Sequence, residues 1–178
     1  ALKQEGFGEI LPGAQAFVVD EAHQLPELAA QFFGEGIGAR PLVELARDAL
    51  AECKGVPGAL AALQAPARDL EQAVRALRAA LEPGPQRATQ ARALADPGAY
   101  EAFETLSSSL QALHAALAAW RESAPGLDAC HARAQEFSAR LARWRVERSF
   151  DNDAFGSDAF DDEHAADDDV RWYEATRR

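Results

Sequence analysis

From Tyr100 to Trp144 the chain reads YEAFETLSSSLQALHAALAAWRESAPGLDACHARAQEFSARLARW. Tyr100, Phe103, Leu106, Leu110, Leu113, Leu117 and Trp120 step by three or four residues, which places one apolar stripe along a helix. Leu127, Cys130, Ala134, Phe137, Leu141 and Trp144 repeat the pattern, with steps of three and four alternating throughout. The connector Ser123-Ala124-Pro125-Gly126 is short, so the two helices are expected to lie antiparallel as an αα-hairpin. Each would run about 30–35 Å at about 1.5 Å per residue. The aromatic members of the stripe read most simply as core packing.

Upstream, Pro41 is expected to start a helix whose apolar positions Leu42, Leu45, Ala49, Leu50 and Cys53 share one face. Gly55, Pro57 and Gly58 end it. Residues 67–82 read as a further helix, with Leu70, Val74, Leu77 and Leu81 spaced four, three and four, and Pro83-Gly84-Pro85 closing it. Asp96-Pro97-Gly98 is a break and a helix cap. Abundant alanine with scarce Val and Ile favours helix, because alanine loses least side-chain entropy there. Gly34, Gly36 and Gly38 form a flexible passage where a domain boundary is expected.

Ahead of that passage, Ala16–His23 read Ala-Phe-Val-Val-Asp-Glu-Ala-His. Phe17-Val18-Val19 is a short β-branched run bounded by Pro12-Gly13, which predicts a buried parallel strand over Gln15–Asp20. Pro26 is placed to open a short helix, Glu27–Phe33. Ligands in open α/β sheets sit at the carboxyl ends of strands. Two carboxylates there suit a nucleoside triphosphatase, one holding the Mg²⁺ that bridges phosphates and one activating the attacking water.

Asp20-Glu21-Ala22-His23 resembles motif II of the superfamily-two helicases. Its continuation Gln24-Leu25-Pro26-Glu27, with Gln31-Phe32-Phe33-Gly34, resembles the DinG/XPD branch, closest to the bacterial YoaA type. The lead-in Ala1-Leu2-Lys3 and Gly6–Pro12, and Val170-Arg171-Trp172-Tyr173-Glu174 near the other end, resemble that subfamily too. The likeness is close over about forty residues at the start and ten at the end. Between them it is one of helical character only. An RNA helicase of the DEAH type would carry Ser-Ala-Thr shortly after the motif, and no such triplet follows.

The resemblance implies a mainly α chain. It would hold a fragment of the first, RecA-like α/β helicase domain (1–34), a helical arch domain with a long antiparallel hairpin (35–169, with an acidic loop at 149–169), and a return strand to that first domain (170–178). It implies that Asp20 helps hold Mg²⁺ with ATP, that Glu21 activates water, and that His23 couples the nucleotide site to the DNA-binding face. It further implies an ATP-dependent 5′-to-3′ DNA helicase in DNA repair or replication. The arch would help form the passage for single-stranded or forked DNA, and a 4Fe-4S cluster would sit elsewhere in the parent. The remainder of the helicase would be the partner.

What the chain lacks matters equally. No Gly-x-x-x-x-Gly-Lys-Ser/Thr phosphate loop occurs, so the isolated chain is expected not to hydrolyse ATP. Cys53 and Cys130 are the only cysteines and cannot supply four cluster ligands. They are expected to be free thiols of a cytoplasmic protein. No apolar run approaches the ~20 residues needed to span a membrane. Methionine is absent, even at the start, and the chain reads as an excised piece of a longer protein.

A net charge of −11 argues against nucleic-acid binding only until its distribution is considered. Residues 151–169 hold nine acids and no Lys or Arg, so the rest of the chain is close to neutral. Asp151, Asp153, Gly156 and Asp162 partly follow EF-hand spacing, but Phe155, Ala159 and Asp162 break it, and a solvated acidic loop is the better reading. Arg133, Arg140, Arg143, Arg145 and Arg148 crowd the last helix, and Arg133, Arg140, Arg143 and Arg148 are candidate phosphate contacts, against a solvated face balanced by Glu136 and Glu147. The alternative for the whole chain is a non-enzymatic helical protein- or DNA-interaction module in which Asp-Glu-Ala-His arises by chance.

Overall fold

Helix starts in this chain are set by short side chains and ring constraints at a few positions. In the computed structural model, which describes residues 20–25, 34–145 and 171–175, Asp96 accepts the Ala99 amide at 2.8 Å and Pro97 occupies the first turn that follows. The chain divides into two compact units, Ala1–Glu35 and Gly36–Arg178.

The second unit contains four long helices: α1 (Ala39–Glu52), α2 (Ala59–Leu81), α4 (Pro97–Ala118) and α5 (Pro125–Arg145). Between α2 and α4 lie strand β1 (Arg87–Thr89) and a short helix, α3 (Gln90–Leu94). A second strand, β2 (Trp172–Glu174), pairs with β1 in antiparallel register, Ala88 opposite Tyr173. The described residues are thus mainly helical with one small strand pair, as the sequence predicts for the fold class.

The long helices pack in a closed ring: α1 on α2, α2 on α4, α4 on α5, and α5 back on α1. Neighbours run antiparallel, since Trp120 after α4 meets Gly58 before α2, and Glu52 at the end of α1 meets Gly126 at the start of α5. This is an up-down-up-down four-helix bundle. The turn between α4 and α5 is a single 3₁₀ turn, Arg121–Ser123, as short as a hairpin requires.

The apolar stripes face inward as their spacing predicts. Leu45, Leu63, Leu70, Leu110, Leu113, Leu117 and Leu127 are the largest fully buried side chains. Burying each stabilises the bundle by roughly 1.5–3 kcal/mol relative to exposure. Phe137, Trp120 and Trp144 are only half-buried against this core. Tyr100, expected in the stripe, is 40% exposed.

Two boundaries depart from the sequence reading. Helix α2 begins at Ala59 rather than at 67 and runs through Pro66. Proline has no N–H for the Ala62 carbonyl, yet Leu63, Ala67 and Leu70 bury the same face on both sides of it, and that packing holds the helix together. The strand expected at 170–178 exists at Trp172–Glu174, and its partner is Arg87–Thr89, a segment with no strand signal of its own.

That strand pair is fastened to the bundle by side chains. Trp144 Nε1 donates to the Trp172 carbonyl at 3.2 Å, Tyr173 Oη donates to the Pro85 carbonyl at 2.9 Å, and Gln90 Nε2 donates to the Trp144 carbonyl. The Arg87 guanidinium stacks on the Trp172 ring at 3.8 Å. Phe103 and Trp144 pack with ring centroids 5.0 Å apart.

Candidate functional site

The first unit is described only over Asp20–Leu25, Gly34 and Glu35, so the strand expected at Gln15–Val19 and the helix expected at Glu27–Phe33 lie outside the described residues. Asp20, expected as the last strand residue, stands in a turn, and Ala22–Gln24 form one 3₁₀ turn after it. Asp20 Oδ1 accepts the Glu21 amide at 2.9 Å. A short acid hydrogen-bonding to its neighbouring backbone is what turns of this kind use. The Glu21 carbonyl then accepts the Gln24 amide at 2.9 Å and closes the turn.

Glu21 adopts φ 54° and ψ 39°, the left-handed region, and it is the one non-glycine residue with positive φ among the described residues. A side chain with a Cβ costs about 1–2 kcal/mol there. His23 Nδ1 lies 3.1 Å from Glu21 Oε2, and both side chains are largely exposed. The turn therefore brings Asp20, Glu21 and His23 together on one exposed face. Asp20 Oδ2 and Glu21 Oε1 have no hydrogen-bond partner among the described residues. Hard carboxylate oxygens of this kind suit Mg²⁺, which keeps most of its waters and needs phosphate oxygens to complete its shell. No group of three or more His, Cys, Asp or Glu side chains that would hold a metal unaided occurs among the described residues.

The candidate arginines of α5 sit in the second unit and are committed to bundle partners. Arg133 Nη1 donates to Asp48 Oδ2 at 2.8 Å, from α5 to α1. Arg140 donates to the Gly36 carbonyl at 3.0 Å and also binds Glu136 one turn back. Arg143 has a partner of its own, and Arg148 lies outside the described residues, as does the acidic segment 149–169. Exposed pairs of this type contribute about 0–1 kcal/mol each, so their main effect is to cancel the positive field of that face.

Sequence spacing did not reveal a groove of about 450 Å³ between α4 and α5. Leu94, Leu110 and Leu141 form its apolar floor, Ser107, Gln111 and Ser138 its polar wall, and Tyr100 and Arg145 lie at its end. The available signal was chemical: Tyr100 precedes a run, Ser107-Ser108-Ser109, that no core requires. The two thiols take no part in any such site. Burial pushes Cys53 and Cys130 up from the ordinary thiol range, so both are inert core side chains.

No family model matches the chain, and no solved structure matches it. Two curated proteins do. The chain is 36% identical over 145 residues to the ATP-dependent DNA helicase YoaA of Escherichia coli K12, covering 80% of this chain and 22% of that protein. It is 48% identical over 48 residues to the ATP-dependent DNA helicase YoaA of Haemophilus influenzae Rd, covering 27% of this chain and 8% of that protein. The chain thus spans about a fifth of the length of the longer match. These likenesses bear out the resemblance to the YoaA/DinG branch at the level of the chain: it matches a segment of a YoaA/DinG-type helicase. Among the described residues no helix is long and apolar enough to cross a membrane.

Proposed function

We propose, from that likeness, that this chain is the motif-II and arch segment of an ATP-dependent DNA helicase, working 5′ to 3′ in DNA repair or replication. The observation that supports the reading is the turn that gathers Asp20, Glu21 and His23, in a chain that matches YoaA-type helicases over most of its length. In the parent, Mg²⁺ with ATP would be held in part by Asp20, whose Oδ1 is anchored on the turn. Mg²⁺ supplies neutralisation of developing phosphate charge. Glu21 is the base that orients and deprotonates water, and its exposed carboxylate is steadied by His23. His23, bonded to Glu21 through Nδ1, keeps Nε2 for a second partner and so couples the nucleotide site to the DNA-binding face.

The helical unit, residues 35–169, is the arch, and residues 170–178 return to the first helicase domain. The arch borders a passage for single-stranded or forked DNA. The parent's iron–sulfur cluster takes its ligands from other parts of the protein, because this chain holds two cysteines and both are buried in the bundle. The segment alone does not turn over ATP, having no phosphate loop with its lysine. A second reading, a non-enzymatic helical interaction module, draws on the bundle alone, whose helix ring closes without outside help.

DNA-stimulated ATPase activity of the intact parent, with and without Glu21→Gln, separates the two. The helicase reading expects turnover to fall by roughly a hundredfold or more with nucleotide binding retained, the scale of losing a general base. Unchanged turnover would leave the interaction module.

A further inference from the structure

We propose that the groove between α4 and α5 is a subsite for one nucleotide of single-stranded DNA, with Tyr100 as the stacking surface. The proposal deepens the helicase reading and rests on it. At about 450 Å³ the groove has the volume of a small-molecule site, ample for one base and its sugar.

Its chemistry matches a nucleotide part by part. Tyr100 is one of three large apolar side chains exposed among the described residues, and it stands at the groove's end with 40% of its surface open. An open aromatic face is what unpaired bases stack on, whatever their sequence. Leu94, Leu110 and Leu141 offer an apolar floor for the base and the sugar. Gln111 places an exposed amide on the wall, and no described residue hydrogen-bonds to it. An amide offers a donor and an acceptor together, the pair that the edge of adenine requires.

Arg145 supplies the charge. Its Nε lies 2.9 Å from Glu104 Oε1, an ion pair between α5 and α4 that sets the guanidinium at the groove's end. No described residue accepts from its two terminal nitrogens, which leaves a fork suited to a phosphate. Glu104 offsets the local charge, so stacking rather than phosphate attraction supplies most of the affinity. This differs from the arginine face read from the sequence, where Arg133 and Arg140 are already bound to bundle partners.

The test is fluorescence anisotropy of a labelled single-stranded oligodeoxyadenylate with the 178-residue chain. Tyr100→Ala is expected to raise Kd roughly ten- to a hundredfold, the range of one lost base stack. Tyr100→Phe keeps the ring and is expected to bind within about threefold of the parent chain. Circular dichroism on each variant checks that the bundle is intact. Equal Kd for Tyr100→Ala and the unsubstituted chain, or no binding of the single strand by the chain, overturns the subsite. Neither result touches the Glu21→Gln assay, so the helicase reading stands or falls separately.

Discussion

The two ends of the bundle are closed by different chemistry. At one end, glycine lets neighbouring elements approach directly: Trp120 lies over Gly58, and the Glu52 carboxylate lies against Gly126 at the start of α5. A negative group at a helix N-terminus is favourable there. At the other end, aromatic rings and a strand pair do the sealing. Trp144 touches Phe103, donates to the Trp172 carbonyl, and has its own carbonyl bound by Gln90. The first end relies on two glycines whose missing side chains admit a ring and a carboxylate. The second relies on large planar side chains tied to a strand pair, and the groove floored by Leu94, Leu110 and Leu141 opens towards it. The two ends therefore differ in what holds them: close backbone approach at one, ring packing and side-chain hydrogen bonds at the other.

The largest expected effect is at the aromatic end. Trp144→Ala removes the Phe103 contact and the hydrogen bond to Trp172 together, and should lower unfolding stability by about 3 kcal/mol. Urea denaturation followed by circular dichroism measures it, and a loss under about 1 kcal/mol would mean that the strand pair closes this end without the ring.

A smaller loss is expected at the glycine end. Gly58 has φ 87°, and an added Cβ would lie 3.2 Å from the Trp120 ring. Gly58→Ala should therefore cost about 1–2 kcal/mol by the same denaturation, from backbone strain with some displacement of Trp120. A stabilised variant would show that the turn relaxes freely, and the two ends would then differ less than the structure implies.

The smallest effect is one of pH. His114 on α4 and His131 on α5 stack with centroids 4.3 Å apart. Burial, then His114 and then Arg121 hold the His131 imidazole below its ordinary value, with Asp128 opposing them. The unfolded chain, at about 6.5, takes up the proton first. The stabilisation is fully present above that pH and is lost as pH falls towards the lower folded value. Between pH 7 and pH 5.5 or so, Tm should drop more for the unsubstituted chain than for His131→Gln. Parallel curves for the two proteins would rule the pair out as the cause.

Much of the bundle was legible in the chain because helix periodicity records which face is buried. Leu106, Leu110, Leu113 and Leu117 stand where their spacing places them, and so do Leu42, Leu45 and Leu70. Pro66 obscured the first turns of α2, since local rules end a helix at proline and only the packing on both sides overrides them. Strand β1 was invisible because Arg87-Ala88-Thr89 has neither alternation nor apolar weight. It exists because Trp172–Glu174 returns to pair with it. Of the candidate site, the clustering of Asp20, Glu21 and His23 follows from their adjacency, whereas the left-handed Glu21 does not.

The sequence by itself determined the helix faces, the hairpin and the likeness to a helicase motif, because each is written in local spacing or residue identity. Only the tertiary structure decided which arginines are spent on bundle acids, where Tyr100 emerges, and which segment pairs with Trp172–Glu174. Those outcomes depend on residues far apart in the chain meeting in space, such as Arg133 with Asp48 and Trp144 with Trp172, and no window of local sequence carries that information.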